Sequence, residues 1–342
     1  MPTTEITLAN QLKTAGYHTG VVGKWHLGFA EKFLPAQRGF DESFGFLGGA
    51  HSYLPAKDGA KSGIFRNGVE IREESYLTDA FAREGASFIE RNAANPFLLF
   101  LTFNAVHAPL DTRPDKLEQF KHITDSKRQS YAAMLSSLDD AVGRVLGQLE
   151  TSKVSERTLV FFISDNGGPT QANGSLNTPL NAVKGTVYEG GIRVPFVVRW
   201  PGQIPSDKTH EEPVIALDIF ATASAAAGVD LPKDRVIDSV NLLPHLRGET
   251  KASPHQALFW RFGEQHAIRK GQYKLLKSRT GEEQLFDLSQ DIGEQHNLIA
   301  QRTELATQLR TEFEAWNSQL EAPRWGRAPA GRKNQKNVTQ NR

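Results

Sequence analysis

The chain has 342 residues, 40 Lys plus Arg against 39 Asp plus Glu, and no cysteine. That length suffices for one large α/β domain, or a large domain with a small appendage, and the near-zero net charge offers no field for nucleic acid or an anionic membrane. The lack of cysteine excludes a disulfide framework, a Cys-based metal site and a Cys nucleophile within these residues.

No apolar run approaches the ~20 residues of a bilayer span, and no basic stretch followed by an apolar one opens the chain, so neither a membrane partner nor an export signal is read here. The first element is an amphipathic helix that Pro2 and Thr3 or Thr4 initiate, with Leu8, Ala9, Leu12 and Ala15 on one face and Gly16 as its stop. An α/β domain usually opens on a strand, which points to a strand upstream of these residues. Gly20 to Gly23 reads as a short buried strand that runs into Lys24-Trp25-His26. Residues 29–75 read as long loops with a hairpin at 64–71, and long loops in a compact domain are often functional. A helix over 78–91 precedes the apolar run 97–103, expected to be a central strand, with His107 just past its carboxyl end.

Over 126–150 the apolar positions Tyr131, Met134, Leu135, Leu138, Val142, Val145, Leu146 and Leu149 recur at three and four residues, which predicts a long amphipathic helix. Asp139 and Asp140 fall on its wet face. Residues 158–163 form a buried strand that ends on Ser164-Asp165-Asn166-Gly167-Gly168; a strand at 194–200 and an Ala-rich helix over 214–227 follow. This alternation implies a mostly parallel sheet flanked by helices. The large domain is placed at 1–253. After Pro254, four short strands at 257–260, 267–269, 273–277 and 284–288 and a helix over 303–320 predict a small antiparallel sheet plus helix, residues 254–322. Residues 323–342, rich in Arg, Asn, Gln and Gly, are expected to be disordered.

In parallel sheets ligands bind at the carboxyl ends of strands, which places His107 near Asp165-Asn166. Asp165 and Asn166 offer hard oxygen ligands suited to Ca²⁺ or Mg²⁺. Lys24 and His26, one residue apart on an extended backbone, can face the same side and hold an anion. Each motif alone also fits a blander alternative: a type I turn for Asp165 to Gly168, a surface turn with a packed indole for Lys24-Trp25-His26, and a solvated lysine for Lys184.

Their order is more specific. Gly16 to Gly28, with Lys24 and His26, closely resembles the sulfatase signature. Asn104-Ala105-Val106-His107-Ala108-Pro109 resembles that family's His-x-Pro element, Ser164 to Gly168 its metal-binding turn, and Lys184 to Pro195 the segment bearing its last sulfate-binding lysine. Leu285-Phe286-Asp287-Leu288 with Glu294 and Asn297-Leu298 resembles the edge of its small C-terminal subdomain. The resemblance is to the formylglycine-dependent, type I sulfatases of the alkaline-phosphatase superfamily, and within them to the arylsulfatase and N-acetylgalactosamine sulfatase group. It implies an alkaline-phosphatase-like α/β fold and hydrolysis of a sulfate ester of a sulfated glycan or aryl sulfate. Asp165 and Asn166 would bind Ca²⁺, with Mg²⁺ the second choice; Lys24 and Lys184 would hold sulfate oxygens; His26 and His107 would handle protons. It also implies a periplasmic or secreted protein where an upstream signal exists.

One departure is large. The family's attacking group is a formylglycine made within Cys/Ser-x-Pro-Ser-Arg, and neither that motif nor the upstream Asp pair of the calcium site occurs in this sequence. The chain is therefore expected to be the greater part of a longer sulfatase, inactive by itself and binding Ca²⁺ weakly. The alternatives are a non-catalytic sulfoglycan-binding protein and a phosphatase or phosphodiesterase of the same superfamily, the latter disfavoured by Lys24, His26 and Lys184.

Overall fold

The computed structural model describes residues 2–55 and 63–322; the expected disordered tail at 323–342 lies outside the described residues. In chain order the elements are α1 (Leu8–Lys13), β1 (His18–Lys24), β2 (Glu42–Phe46), β3 (Ile64–Arg66), β4 (Val69–Ile71), α2 (Leu77–Asn92), β5 (Phe97–Thr102), α3 (Pro114–Gln119), α4 (Ser126–Thr151), β6 (Val160–Ile163), α5 (Thr170–Asn173) and α6 (Glu189–Ile192). Then follow β7 (Phe196–Arg199), α7 (Asp218–Ala226), α8 (Leu243–Leu246), β8 (Leu258–Phe262), β9 (Gln265–Lys270), β10 (Tyr273–Lys277), β11 (Glu283–Asp287) and α9 (Thr303–Asn317). They pack as two units: the first holds the described residues up to Ile163 with Pro169–Ser175 and Pro195–His255, the second Ser164–Gly168, Leu176–Val194 and the described residues from Gln256 onward.

In the first unit, α1 starts at Leu8 and not at Pro2 to Thr4. Arg38 donates to the carbonyls of Pro2, Thr3 and Glu5, which holds that segment in a turn, and Thr7 then caps the helix in a reciprocal pair with Asn10. The five-stranded sheet has the order β4-β3-β2-β1-β5, with β1 parallel to both β2 and β5 and the remaining pairs antiparallel. Two glycines permit its central spacing. A Cβ on Gly45 would lie 1.8 Å from the Gly23 carbonyl oxygen, and one on Gly23 would lie 2.0 Å from that of Thr102. Val22, Phe44, Phe46 and Ile64 pack under Leu77 and Phe81 of α2, while Val21 and Trp25 pack with Ala9 and Phe40 on the other face.

The sheet is thus mixed and helix-flanked, as an α/β fold requires, but its parallel part is confined to β2-β1-β5. Among the described residues the strand expected to be central, β5, is the sheet's edge: Leu99 and Leu101 pack toward α2, and Phe100 stacks on Phe40 while remaining 48% exposed. Strands β6 and β7 form a separate antiparallel pair. Asp125 caps α4, and Asp140 on that helix pairs with Lys116.

The second unit contains the four-stranded antiparallel sheet, order β11-β10-β9-β8. Ile268, Leu275 and Leu285 of one face pack against Ala306, Leu309 and Phe313 of α9; the other face carries a smaller cluster of Ala267, Leu276 and Phe286 with Val187. This is the small antiparallel sheet plus helix predicted from the sequence.

Candidate functional site

Lys24, His26 and His107 belong to the first unit; Asp165, Asn166 and Lys184 belong to the second. The first three sit at one sheet edge because β1 and β5 are parallel and both run out at their carboxyl ends there. Lys24 ends β1, its carbonyl accepting from Thr102 Oγ1 at 2.7 Å. Trp25 is buried, its indole N–H donating to the Phe33 carbonyl at 2.8 Å, so the residue between Lys24 and His26 is anchored inward. His26 is exposed and has a left-handed φ of 51°, uncommon for a non-glycine residue and concentrated at functional positions. Its ring packs on the backbone of Gly49: a Cβ there would lie 2.7 Å from His26 Nε2.

His107 is held in a turn by its own amide, which donates to the Asn104 carbonyl at 2.7 Å. Its Nδ1 lies 2.7 Å from the Ala108 carbonyl oxygen. A carbonyl only accepts, so Nδ1 carries a hydrogen, and the neutral ring offers Nε2 as a proton acceptor and the charged ring offers Nε2–H as a donor. Fully buried Tyr53 braces this turn, its hydroxyl 2.5 Å from the Asn104 carbonyl and 2.8 Å from that of His107. Asp111 in turn accepts from the Tyr53 amide and from Ser52 Oγ. Burial drives the Tyr53 phenol far above its ordinary range, so it stays a neutral donor.

In the second unit a single side chain joins the Asp165-Asn166 turn to the loop of Lys184. Asn177 Oδ1 accepts from the Gly168 amide at 3.0 Å, while its Nδ2 donates to the carbonyls of Gly168 and Ala182 at 2.9 and 3.0 Å. The Gly167 amide donates to the Gly191 carbonyl at 3.0 Å. Glycine is required at this crossing, since a Cβ on Gly167 would lie 1.8 Å from the Gly190 carbonyl oxygen. Asn166 Nδ2 donates to the Gly167 carbonyl at 3.0 Å, which leaves its Oδ1 as an acceptor.

The Asp165 carboxylate and Asn166 Oδ1 are hard oxygens of the kind Ca²⁺ prefers, and in type they fit that ion. Among the described residues no group of three His, Cys, Asp or Glu side chains is gathered as a metal site. Two side-chain donors fall short of the roughly 6 to 8 oxygens that Ca²⁺ takes.

Three residues beside these motifs were not singled out from the sequence: His51 and Tyr53 in the first unit and Asn177 in the second. His51 lies in the loop after β2; its Nδ1 is 2.7 Å from the Ser52 carbonyl, and its own carbonyl accepts from Asn104 Nδ2 at 3.4 Å. The one local signal was Gly48-Gly49 after an aromatic stretch, a pattern that marks close backbone approach.

The first unit is a helix-flanked mixed sheet with lysine and histidine at the carboxyl ends of its parallel strands, and the second unit carries an oxygen-rich turn joined to a glycine-rich lysine loop; together these make the chain an α/β protein. Comparison with known proteins is more specific. The sulfatase family model matches residues 1–229, and the model described as N-sulphoglucosamine sulphohydrolase, C-terminal, matches residues 183–319. N-acetylgalactosamine-6-sulfatase of Canis lupus familiaris is 34% identical over 80% of this chain and 54% of its own length. The arylsulfatase of Hemicentrotus pulcherrimus is likewise 34% identical, over 80% of this chain and 52% of its own. The crystal structure of Ps i-CgsB superimposes with a TM-score of 0.89 at 34% identity, covering 95% of this chain and 76% of that one. The chain belongs to the sulfatase family, and it spans about half the length of the curated relatives it matches.

Proposed function

We propose that this chain carries the sulfate-recognising part of a sulfuric ester hydrolase whose substrate is a sulfated glycan. The observation that carries the reading is the Asn177 staple, which holds an Asp-Asn turn beside the loop of Lys184 in a chain of the sulfatase family. The similar N-acetylgalactosamine-6-sulfatase and a complex of Ps i-CgsB with k-i-k-neocarrahexaose support a glycan over a simple aryl ester.

In this reading Lys24 and Lys184 bind sulfate oxygens, where fixed cations offset the negative charge that develops as the S–O bond to the alcohol breaks. His107, its Nδ1–H fixed on a carbonyl, delivers a proton from Nε2 to the departing alcohol oxygen. His26 assists release of sulfate. Asp165 and Asn166 would hold part of a Ca²⁺ site, the ion adding positive charge beside the sulfate when bound. The attacking oxygen belongs to formylglycine in this family, and these 342 residues contain neither cysteine nor Ser-x-Pro-Ser-Arg to generate it.

The second reading is a sulfoglycan-binding protein without turnover. Purified chain assayed with 4-nitrophenyl sulfate should show no turnover, yet inorganic sulfate or a sulfated oligosaccharide should bind and lose affinity on Lys24→Ala. Supplying a Cys-x-Pro-Ser-Arg segment in cis, with a formylglycine-generating enzyme, should restore turnover that His107→Ala abolishes. Binding that never converts to turnover would leave the second reading. Metal-dependent turnover by the 342 residues alone would overturn the role assignment.

A further inference from the structure

The loop of Lys184 is gripped on both sides of that lysine by the small antiparallel sheet and the loop that follows β11, and the grip includes ions buried out of water. Lys274 of β10 is completely buried, its Nζ 2.8 Å from Glu189 Oε1 and 2.8 Å from Glu294 Oε1. The two carboxylate side chains are 2% and 0% exposed. Glu294 Oε2 accepts from the Glu189 backbone amide at 2.7 Å, and the Glu294 carbonyl accepts from Asn181 Nδ2 at 3.4 Å. Nearer the lysine, the Gly185 carbonyl accepts from Gln265 Nε2 and from Arg279, each at 3.1 Å. Val187 is buried with Ala267, Leu276 and Phe286.

A buried ion triad is a poor way to gain stability, because desolvation of three charges offsets most of their attraction and well-packed apolar residues often do as well. What it does well is exclude alternatives: any other path of the loop would leave a charge unpaired in the interior. Glu189 begins α6, five residues past Lys184, and Glu294 itself sits at a left-handed φ of 51°. Two chain segments are therefore bent to meet one lysine.

We infer that Lys274, Glu189 and Glu294 are positioning residues that fix the Lys184 loop in its anion-binding conformation, making the small C-terminal sheet part of the sulfate-binding apparatus. The inference rests on the reading of Lys184 as a sulfate ligand. Its consequence is that sulfate affinity responds to residues that do not touch sulfate.

The test is a double-mutant cycle on the 342-residue chain, titrated with inorganic sulfate and followed by hydrogen exchange. Lys184→Ala should weaken sulfate binding, and Glu294→Gln or Glu189→Gln should weaken it by about tenfold, within the range for residues coupled in one network. The double variant Lys184→Ala with Glu294→Gln should bind no more weakly than Lys184→Ala. In Glu294→Gln the amides of residues 185–193 should exchange faster, with those of β9 and β10 unchanged. Parental sulfate affinity in both Gln variants, with affinity lost in Lys184→Ala, would overturn the inference and leave the reading of Lys184 intact. An effect of Glu294→Gln that persists in full on the Lys184→Ala background would also overturn it. If Lys184→Ala binds sulfate normally, or the parent binds none, the reading fails and takes the inference with it. Lys274→Met takes the lysine from both carboxylates, leaving Glu189 with Arg193 and Arg269 at 3.8 and 4.0 Å, and is the variant most exposed to misfolding; the Gln variants remove charge at nearly constant shape. Unfolding of both Gln variants would mark the triad as a stability element alone and overturn the positioning role.

Discussion

Removing a single hydroxyl group tests how the His107 turn is held. Tyr53→Phe deletes the oxygen that lies 2.5 Å from the Asn104 carbonyl and 2.8 Å from that of His107, and it leaves the fully buried ring in place between Tyr76 and Met134. A phenol has one proton for these two acceptors. The Asn104 carbonyl already accepts from the His107 amide, so the proton matters most at the His107 carbonyl, which the substitution strands. An unpaired buried acceptor costs about 1–3 kcal/mol, and the partial burial of this contact places the loss near about 1–2 kcal/mol. At about 2–4 °C per kcal/mol, melting of the first unit should fall by about 2–8 °C. Burial keeps the phenol protonated, so the loss should be the same across the range of about pH 6 to 9. Thermal and denaturant unfolding of parent and variant measure it. A difference below about 0.5 kcal/mol, the size of an ordinary surface change, would refute the account of Tyr53 as the brace.

Gly49→Ala places a Cβ 2.7 Å from His26 Nε2; because His26 is exposed its ring swings aside, and sulfate affinity should fall about threefold to tenfold, roughly 0.7–1.4 kcal/mol, at unchanged Tm. Unaltered affinity by titration would separate His26 from sulfate binding. Burial, then the charge of Lys277, holds the His266 imidazolium below the usual histidine range. The unfolded chain therefore takes up the proton first on acidification, so the second unit keeps this stability above the ordinary value of about 6.5 and loses it as pH falls from there through the lower folded value. His266→Phe should flatten that acid limb in pH-dependent melts, and an unchanged slope would exclude His266 as its source. Micromolar Ca²⁺ should raise the melting temperature little, since two side-chain donors give weak binding and ligand stabilisation grows only above the dissociation constant. A shift of many degrees would mean that further residues complete the site.

Where most of the candidate residues fall in the fold was readable from the chain because Lys24, His26, His107, Asp165 and Asn166 sit at or just past strand ends. The run 97–103 is long and apolar enough to mark a strand, and Asn104 to Pro109 must then be its exit; Ser164 to Gly168 follows β6 in the same way. What was hidden depends on contacts distant in sequence. Strand β2 reads as loop because Glu42, Ser43 and Gly45 break any pattern, yet Gly45 is there because a neighbouring strand's carbonyl occupies the space of its Cβ. The start of α1 is set by Arg38, 31 residues beyond Thr7. The Ala-rich helix expected from 214 begins at Asp218, whose carboxylate accepts from the Ile215 amide and also from Val240 and His255, ending any helix before it. Asn177 and Tyr53 resemble ordinary loop residues, and only their hydrogen bonds reveal what they hold.

The edge position of β5 among the described residues also bears on how these 342 residues behave by themselves in bulk solution. Among the described residues no strand pairs with its outer side, and that side borders the half-exposed Phe100 in a run of six consecutive residues that carries no charge. An uncharged apolar edge of this length is a template for cross-chain ladder formation. The 342 residues expressed by themselves should therefore scatter light above a threshold concentration, with cross-chain contacts beginning at β5. Phe100→Lys, which puts a charge on that edge, should raise the concentration at which light scattering first appears.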